Sequence, residues 1–246
     1  MASIEAGLVN HNTSAYAELA LRSLFAHHPG RLDLALTVYD NGSNDAGLEA
    51  LRRYLDGRRI PFVSSGFGLN TAHNSHGAVL DRFVGEHPAC DYYLFLDSDT
   101  AFLQDGTIDT MRAELDADAS AFGIGARMSW DGEHEMSPER IGANPDIYTA
   151  RLHPCCALVR NTPEFRRVVA EVGLGCARML RPDGEEYFDT FKLATRAMLT
   201  HGRRHIRSSA MVLHFFNVSY EAMAAKERRR DERLRALREM EAGRVV

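Results

Sequence analysis

The sequence predicts an α/β protein with a mostly parallel, doubly wound central sheet and helices on both faces. Three observations carry that expectation. Short apolar runs at residues 4–9, 34–39, 60–63 and 92–96 alternate with stretches of helical periodicity, the signature of right-handed βαβ units. The fourth run, Tyr92-Tyr93-Leu94-Phe95-Leu96, is apolar throughout, as a central parallel strand covered on both faces must be. And the runs end in polar clusters: Asn10-His11-Asn12, Asp40-Asn41, residues 68–74 and Asp97-Ser98-Asp99. In a doubly wound sheet the ligand crevice lies beyond the carboxyl ends of the strands.

The first helix is expected over residues 14–27, with Leu19, Leu24 and Phe25 on one face and Thr13 as its cap. Residues 40–45, Asp-Asn-Gly-Ser-Asn-Asp, form a turn cluster before a helix over 48–55. Gly66-Phe67-Gly68 is a glycine loop, and residues 71–84 read as helix. The second half is less regular. Strands are expected over 121–128, 152–159 and 211–216, a polar loop with Trp130 over 130–144, a helix over 163–172, an amphipathic stretch over 186–199 and a charged helix over 226–241. No composition shift marks a linker, so residues 1–246 read as one domain: 1–105, 106–219 and a terminal helix from 220.

A chain of 246 residues can bury a substantial core, and 45% hydrophobic with 26% charged residues is ordinary for a globular protein. The net charge of −5 excludes a general nucleic-acid binder, which needs a basic stripe. It does not exclude nucleotides, which backbone amides and metals hold. Cys90, Cys155, Cys156 and Cys176 show no C-x-x-C spacing, so they read as reduced thiols rather than zinc ligands. Met1-Ala2-Ser3 leads straight into the first apolar run without a targeting pattern. No apolar run approaches the ~20 residues of a membrane span. The expectation is a soluble, cytoplasmic protein.

Asp97 and Asp99 are one residue apart, directly after the apolar fourth run. Two carboxylates so placed repel until a proton or cation settles them. Mg²⁺ or Mn²⁺, held by one or two carboxylates together with substrate phosphates, does so. The plainer alternative is a loop turn whose Asp caps the next helix.

In order and spacing, Asn10-His11-Asn12, the turn Val38-Tyr39-Asp40-Asn41-Gly42-Ser43-Asn44-Asp45, the loop 66–74, Leu94-Phe95-Leu96-Asp97-Ser98-Asp99 and His214-Phe215-Phe216-Asn217-Val218-Ser219 resemble the family 2 glycosyltransferases with the GT-A fold. The similarity is clear over residues 4–103 and patchy afterwards. It implies a GT-A-like domain with a nucleotide-binding N-terminal half and an acceptor half. The substrates would be a nucleoside-diphosphate sugar donor and a small-molecule, glycan or lipid-linked acceptor, with a divalent cation, Mn²⁺ or Mg²⁺. Asp40 and Asn41 would meet the nucleobase or ribose, and Asn10 and Asn12 would line the base pocket. Gly68, Asn70 and Asn74 would flank the donor. Asp97 and Ser98 would face ribose or metal, Asp99 would bind the metal, and His214 would add a metal or diphosphate ligand. Taken alone, a histidine ending an apolar strand is more often structural.

The resemblance also implies an inverting displacement, which needs a carboxylate to take the acceptor's proton. The family's E-D-x-D-L-x-x-R helix aligns with residues 187–196 if Leu193 and Arg196 are the anchors. Asp189 then takes the first acidic position and Thr190 the second, where the base usually stands. Asp189 is the first candidate and Glu186 the second, each with the alternative of a solvated carboxylate at a helix start. The stretch 153–160, His-Pro-Cys-Cys-Ala-Leu-Val-Arg, would run beside the donor sugar, or simply be a core strand. Trp130 would stack on an acceptor or anchor its loop. The charged C-terminal helix would pack one narrow face, or give a dimer or weak membrane-surface contact. Rival readings are a retaining transferase on the same fold, a nucleotidylyltransferase and a non-catalytic sugar-nucleotide binder. The nucleotidylyltransferase is disfavoured because no basic glycine-rich loop follows the first run.

Overall fold

The structure, a computed structural model, describes residues 2–28, 34–67, 75–181, 184–218 and 223–243. The chain runs β1 (Ile4–Asn10), α1 (Ser14–His27), β2 (Leu34–Asp40), α2 (Leu48–Arg58), β3 (Phe62–Ser64), α3 (Ser75–Glu86), β4 (Tyr92–Asp97), β5 (Thr100–Phe102), α4 (Thr107–Asp116), β6 (Ala121–Ser129), α5 (Pro138–Ala143), β7 (Cys156–Arg160), α6 (Pro163–Val172), β8 (Ala177–Arg181), β9 (Gly184–Phe188), α7 (Lys192–Thr200), β10 (Arg204–His214) and α8 (Ala224–Gly243).

Among the described residues the main sheet has eight strands in the order β3-β2-β1-β4-β7-β6-β10-β5. β3, β2, β1 and β4 pair in parallel, as do β6 and β10. β7 and β5 run against their neighbours. The sheet is thus mostly parallel, with two reversed strands that apolar patterning did not reveal. One core face packs β1, β2 and β4 against α1 and α2 through residues such as Leu8, Leu21, Leu51 and Leu94. The other packs Tyr93, Phe95 and Val159 against α3 and α6 through Phe83 and Phe165.

Several expected boundaries move. The third strand is shorter, Phe62–Ser64, and the last is longer, Arg204–His214. The polar loop after β6 contains α5, which starts because Ser137 accepts a hydrogen bond from Arg140 N and Pro138 sits in the first turn. The stretch 186–199 is not one helix. Its first residues belong to the β8–β9 hairpin, and Phe191, at φ 69°, breaks the chain before α7 starts at Lys192. Aromatic Tyr187 and Phe188 favour the extended form there.

Gly77 and Gly175 bring α3 and the segment before β8 into backbone contact: a Cβ at Gly77 would stand 2.0 Å from Gly175 Cα. Only glycine permits that approach.

α8 lies on α1. Leu234 is buried, and Arg238 and Arg22 both reach the buried Glu18 carboxylate, at 2.7 and 2.8 Å. Glu241 pairs with Arg22 and Arg58. The narrow packed face expected of this helix is therefore used within the chain. No helix among the described residues is long and apolar enough to cross a membrane.

Candidate active site

The carboxyl ends of β1, β2, β4, β6 and β10 share one edge, with the starts of β7 and β5 beside them. In register, Asn10 lies opposite Asp40, and Val9 opposite Asp97. Asp97 N donates to Cys155 O at 3.1 Å, and Thr100 Oγ1 to the same carbonyl at 2.9 Å. β4 and β5 are four strand spacings apart, ~19 Å in a flat sheet. Three residue steps from Asp97 to Thr100 span at most ~11 Å. The sheet therefore curls, and Asp97-Ser98-Asp99 bridges the curl. This brings His214, at the end of β10, against both acids.

His214 Nε2 stands 3.1 Å from Asp99 Oδ1 and 3.8 Å from Asp97 Oδ2. One ligand atom from each of Asp97, Asp99 and His214 fits within a 4.8 Å group. His76, in the first turn of α3, lies 3.5 Å from Asp97 Oδ1. Burial raises the Asp97 carboxyl above the usual range; His76 pulls it down and the Asp99 charge pushes it further up. The set fits a divalent cation. It offers two carboxylates and an imidazole, the choice of a hard to borderline metal such as Mn²⁺. His214 Nδ1 is buried and has no hydrogen-bond partner among the described residues.

His153, Cys155 and His214 form a second such group sharing His214. His153 is held neutral, well below the ordinary imidazole range, by burial and by the charges of Arg151, His214 and His76. Its Nδ1 accepts a hydrogen bond from Cys155 N at 3.2 Å. Burial pushes both adjacent thiols up, Cys156 to about 12, so neither is a thiolate at neutral pH.

At the end of β1, Asn10 is fully buried. Its amide donates to Ser14 Oγ, Asp40 Oδ1 and Ser43 Oγ at 3.0–3.1 Å. Asn10 thus ties the end of β1 to the end of β2 and to the turn after it. Thr13, expected as a helix cap, instead donates to Asn10 Oδ1 and shares a 2.6 Å hydrogen bond with Ser98, tying the first strand end to the diacid turn. Asn12 sits at φ 52°, and its Oδ1 accepts from Asn44 N. Asp40 accepts from Ser43 N, and Asn41 Oδ1 from Ser65 Oγ at 2.7 Å. The two strand ends are therefore cross-linked before any ligand arrives. Gly68, Asn70 and Asn74 lie outside the described residues.

Asp189 sits in the turn between β9 and α7. Its Oδ2 is 2.7 Å from Arg151, and its Oδ1 accepts from its neighbour Thr190 N at 2.8 Å. Arg151, nearly buried, also donates to Thr190 O at 2.6 Å and Asp146 O at 3.0 Å. Glu186 lies on β9, 3.4 Å from Arg196. The structure thus brings Asp97, Asp99 and His214 together. It joins Asn10 to Asp40, and it fastens Asp189 to a buried arginine.

Sequence reasoning did not single out His76, Arg151 or His153. His153 opens the stretch 153–160, expected to run beside a donor sugar or to be a core strand. Arg151 and His76 gave no local signal, because their partners Asp189 and Asp97 are distant in sequence.

No protein-family model matches the chain, and a search of curated proteins returns no match. Solved structures do match. A mannosyltransferase from Pyrobaculum calidifontis in complex with GDP-Man and Mn²⁺ superposes with a TM-score of 0.59 at 15% identity, over 87% of this chain and 57% of that one. S. aureus TarS residues 1–349 with UDP-GlcNAc gives 0.53 at 16% identity, over 89% and 57%. Glucosyl-3-phosphoglycerate synthase from Mycobacterium tuberculosis with Mn²⁺, UDP and glucosyl-3-phosphoglycerate gives 0.52 at 14% identity, over 96% and 78%. The chain thus spans little more than half the length of the mannosyltransferase and of TarS 1–349. These likenesses establish the architecture: the chain has the GT-A fold of sugar-nucleotide glycosyltransferases.

Proposed function

We propose that the protein is a metal-dependent glycosyltransferase that moves a sugar from a nucleoside-diphosphate sugar to an acceptor hydroxyl with inversion. The observation that carries this is the convergence of Asp97, Asp99 and His214 within 4.8 Å at the ligand-binding edge of a GT-A fold. A divalent cation bound there would offset the charge that develops on the departing diphosphate. His214, with Arg151 and His76 nearby, adds positive or hydrogen-bonding character to that side of the pocket. Asp40 and Asn41 supply carboxylate and amide groups toward nucleobase and ribose, and Asn10 fixes Asp40's orientation. Gly68, Asn70 and Asn74 would complete the donor side. Asp189 takes the acceptor's proton, with Glu186 as the second candidate. The four free thiols fit a reducing compartment such as the cytoplasm.

The retaining alternative has one observation in its favour. Asp189 Oδ2 is 2.7 Å from Arg151 and its Oδ1 accepts from Thr190 N, so both carboxylate oxygens are already engaged and an acceptor hydroxyl would have to displace one of these partners. The anomeric configuration of the product, read by NMR, separates the two readings. The metal assignment is tested with Asp99→Ala. Donor hydrolysis or transfer should require Mn²⁺ or Mg²⁺ in the wild type and fall by at least ~10²-fold in the variant. Full metal-dependent turnover by Asp99→Ala would sink it.

A further inference from the structure

Trp130 is the only tryptophan in the chain, and 43% of it is exposed. It follows β6 directly. Ser129 pairs with Leu213, so Trp130 and His214 leave neighbouring strand ends side by side. The indole centroid is 5.5 Å from Phe216, whose ring is 3.8 Å from that of His214. A continuous row of aromatic rings, Trp130, Phe216 and His214, therefore runs from solvent to the diacid.

The ring's seat is firmly built. Arg229 donates to Trp130 O at 2.5 Å, and Lys226 to Phe216 O at 2.5 Å. Asp131 Oδ1 accepts both Glu133 N and His134 N at 2.8 Å, and Ser129 Oγ accepts Gly132 N at 2.8 Å. The indole N–H is already bonded to Met136 Sδ, so what the ring leaves exposed beside the strand ends is carbon surface. Rigid exposed aromatics of this kind are binding anchors.

Arg140, from α5, places its guanidinium carbon 3.8 Å from the indole centroid. Elsewhere on the surface guanidiniums are commonly paired, as in Arg53–Glu49, Arg82–Glu86 and Arg203–Glu164. Arg140 has no ion pair among the described residues. An unpaired planar cation beside an exposed indole suits a ligand with an apolar ring face and an anionic substituent.

We propose that Trp130 and Arg140 form the acceptor subsite and select a sugar bearing a carboxylate or phosphate. The apolar face of the sugar packs on the indole, and Arg140 binds the anionic group. This rests on the glycosyl-transfer reading, which it deepens by naming the acceptor class.

Because Trp130 is the sole tryptophan, alongside eight tyrosines, fluorescence excited at wavelengths beyond tyrosine absorption reports on this ring alone. Wild-type protein with Mn²⁺ and UDP or GDP is titrated with glucuronate, glucose 6-phosphate, methyl glucoside and inorganic phosphate. Nucleotide binding is measured separately by calorimetry. Expected are saturable changes with the anionic sugars, at least ~10-fold tighter than methyl glucoside, and none with phosphate at the same concentrations. Whichever of glucuronate and glucose 6-phosphate binds tighter identifies the anionic group. Arg140→Gln, with an unchanged melting temperature, should erase the preference while keeping the neutral sugar's affinity. Nucleotide binding with no saturable sugar response overturns the subsite and leaves the transfer reading standing, as does a preference that survives Arg140→Gln. A sugar response with no calorimetric binding of UDP, GDP, ADP or dTDP removes the transfer reading and leaves a sugar site.

Discussion

Replacing Gly77 with alanine should damage stability and activity together. The new Cβ would lie 2.0 Å from Gly175 Cα, 2.5 Å from Gly175 N and 2.9 Å from Leu174 C. All three are backbone atoms, so no side chain can rotate away. Reaching an ordinary carbon–carbon separation of ~3.5 Å requires α3 and the 174–175 segment to part by roughly 1.5 Å. Overpacking of that size sits at the upper end of the ~1–3 kcal/mol range, which in a chain this long lowers Tm by about 6–12 °C. The displaced parts matter for function. α3 carries His76 against Asp97, and the 174–176 segment holds Cys176 against Asp189, 3.5 Å away. A misplacement of this order can cost ~10²-fold in rate. Gly85 is the control: it lies in the same helix, and a Cβ there meets nothing within 4 Å. Gly85→Ala should be neutral or stabilise by up to ~1 kcal/mol. Differential scanning fluorimetry and a metal-dependent donor hydrolysis assay read both effects. Equal melting temperatures and rates for the two variants would refute the reasoning.

Asp97→Asn should reverse its effect with metal. Burial and Asp99 disfavour the Asp97 carboxylate, so in EDTA at pH 7.5 the neutral variant should melt above the wild type. With Mn²⁺ at a hundred times Kd the wild type should gain ~2.7 kcal/mol, and the variant little of it; an undiminished Mn²⁺ gain in the variant would contradict the ligand role. Asp81 carries a different pH dependence. Burial raises its carboxyl from 3.8 to about 6, so the folded state binds this proton more tightly than the unfolded state. The group's contribution is intact below pH ~4 and is lost as pH rises through ~6. Asp81→Asn, which can still accept from Leu174 N, should therefore stabilise at pH 8 by ~1–2 kcal/mol after discounting for partial solvation. At pH 4 it should do nothing, and equal gains at both pH values would rule this out. Glu18→Gln strands Arg22 and Arg238 beside α1. A loss of ~2–3 kcal/mol is expected, seen as a lower urea midpoint at unchanged slope, with faster amide exchange in α8.

The parallel half of the sheet was legible because its information is local. An apolar run followed by a polar cluster marks a buried strand and its carboxyl end, and β1, β2 and β4, ending at Asn10, Asp40 and Asp97, follow that pattern. β5 and β8 were not legible. β5 is three residues long and takes its extended form from pairing with β10 and packing against α1, where Phe102 N donates to Ser23 Oγ. The β8–β9 hairpin interrupts a stretch whose spacing suits a helix, and the turn at Phe191 is fixed by Phe191 N donating to Leu174 O, a tertiary bond. The same limit hid Arg151: its bond to Thr190 O joins residues 39 apart, and no spacing rule reaches that far. His214 stands out in the sequence only through the motif order; that it is buried against Asp99 is a tertiary fact no spacing carries.

The tripeptide from Asp97 to Asp99 joins a central strand to the far edge of the sheet while carrying two of the proposed metal ligands. Its length is therefore under a double constraint. One inserted residue would let the curl relax and would also move Asp99 off His214; one deletion would overdraw the link. Exposed connections such as residues 201–203 between α7 and β10 can lengthen or shorten at little cost. Among diverging chains of this fold, insertions and deletions should therefore collect everywhere except in this bridge. The invariant to look for in sequences too distant to align is its length between the two strands, together with the acids at its ends.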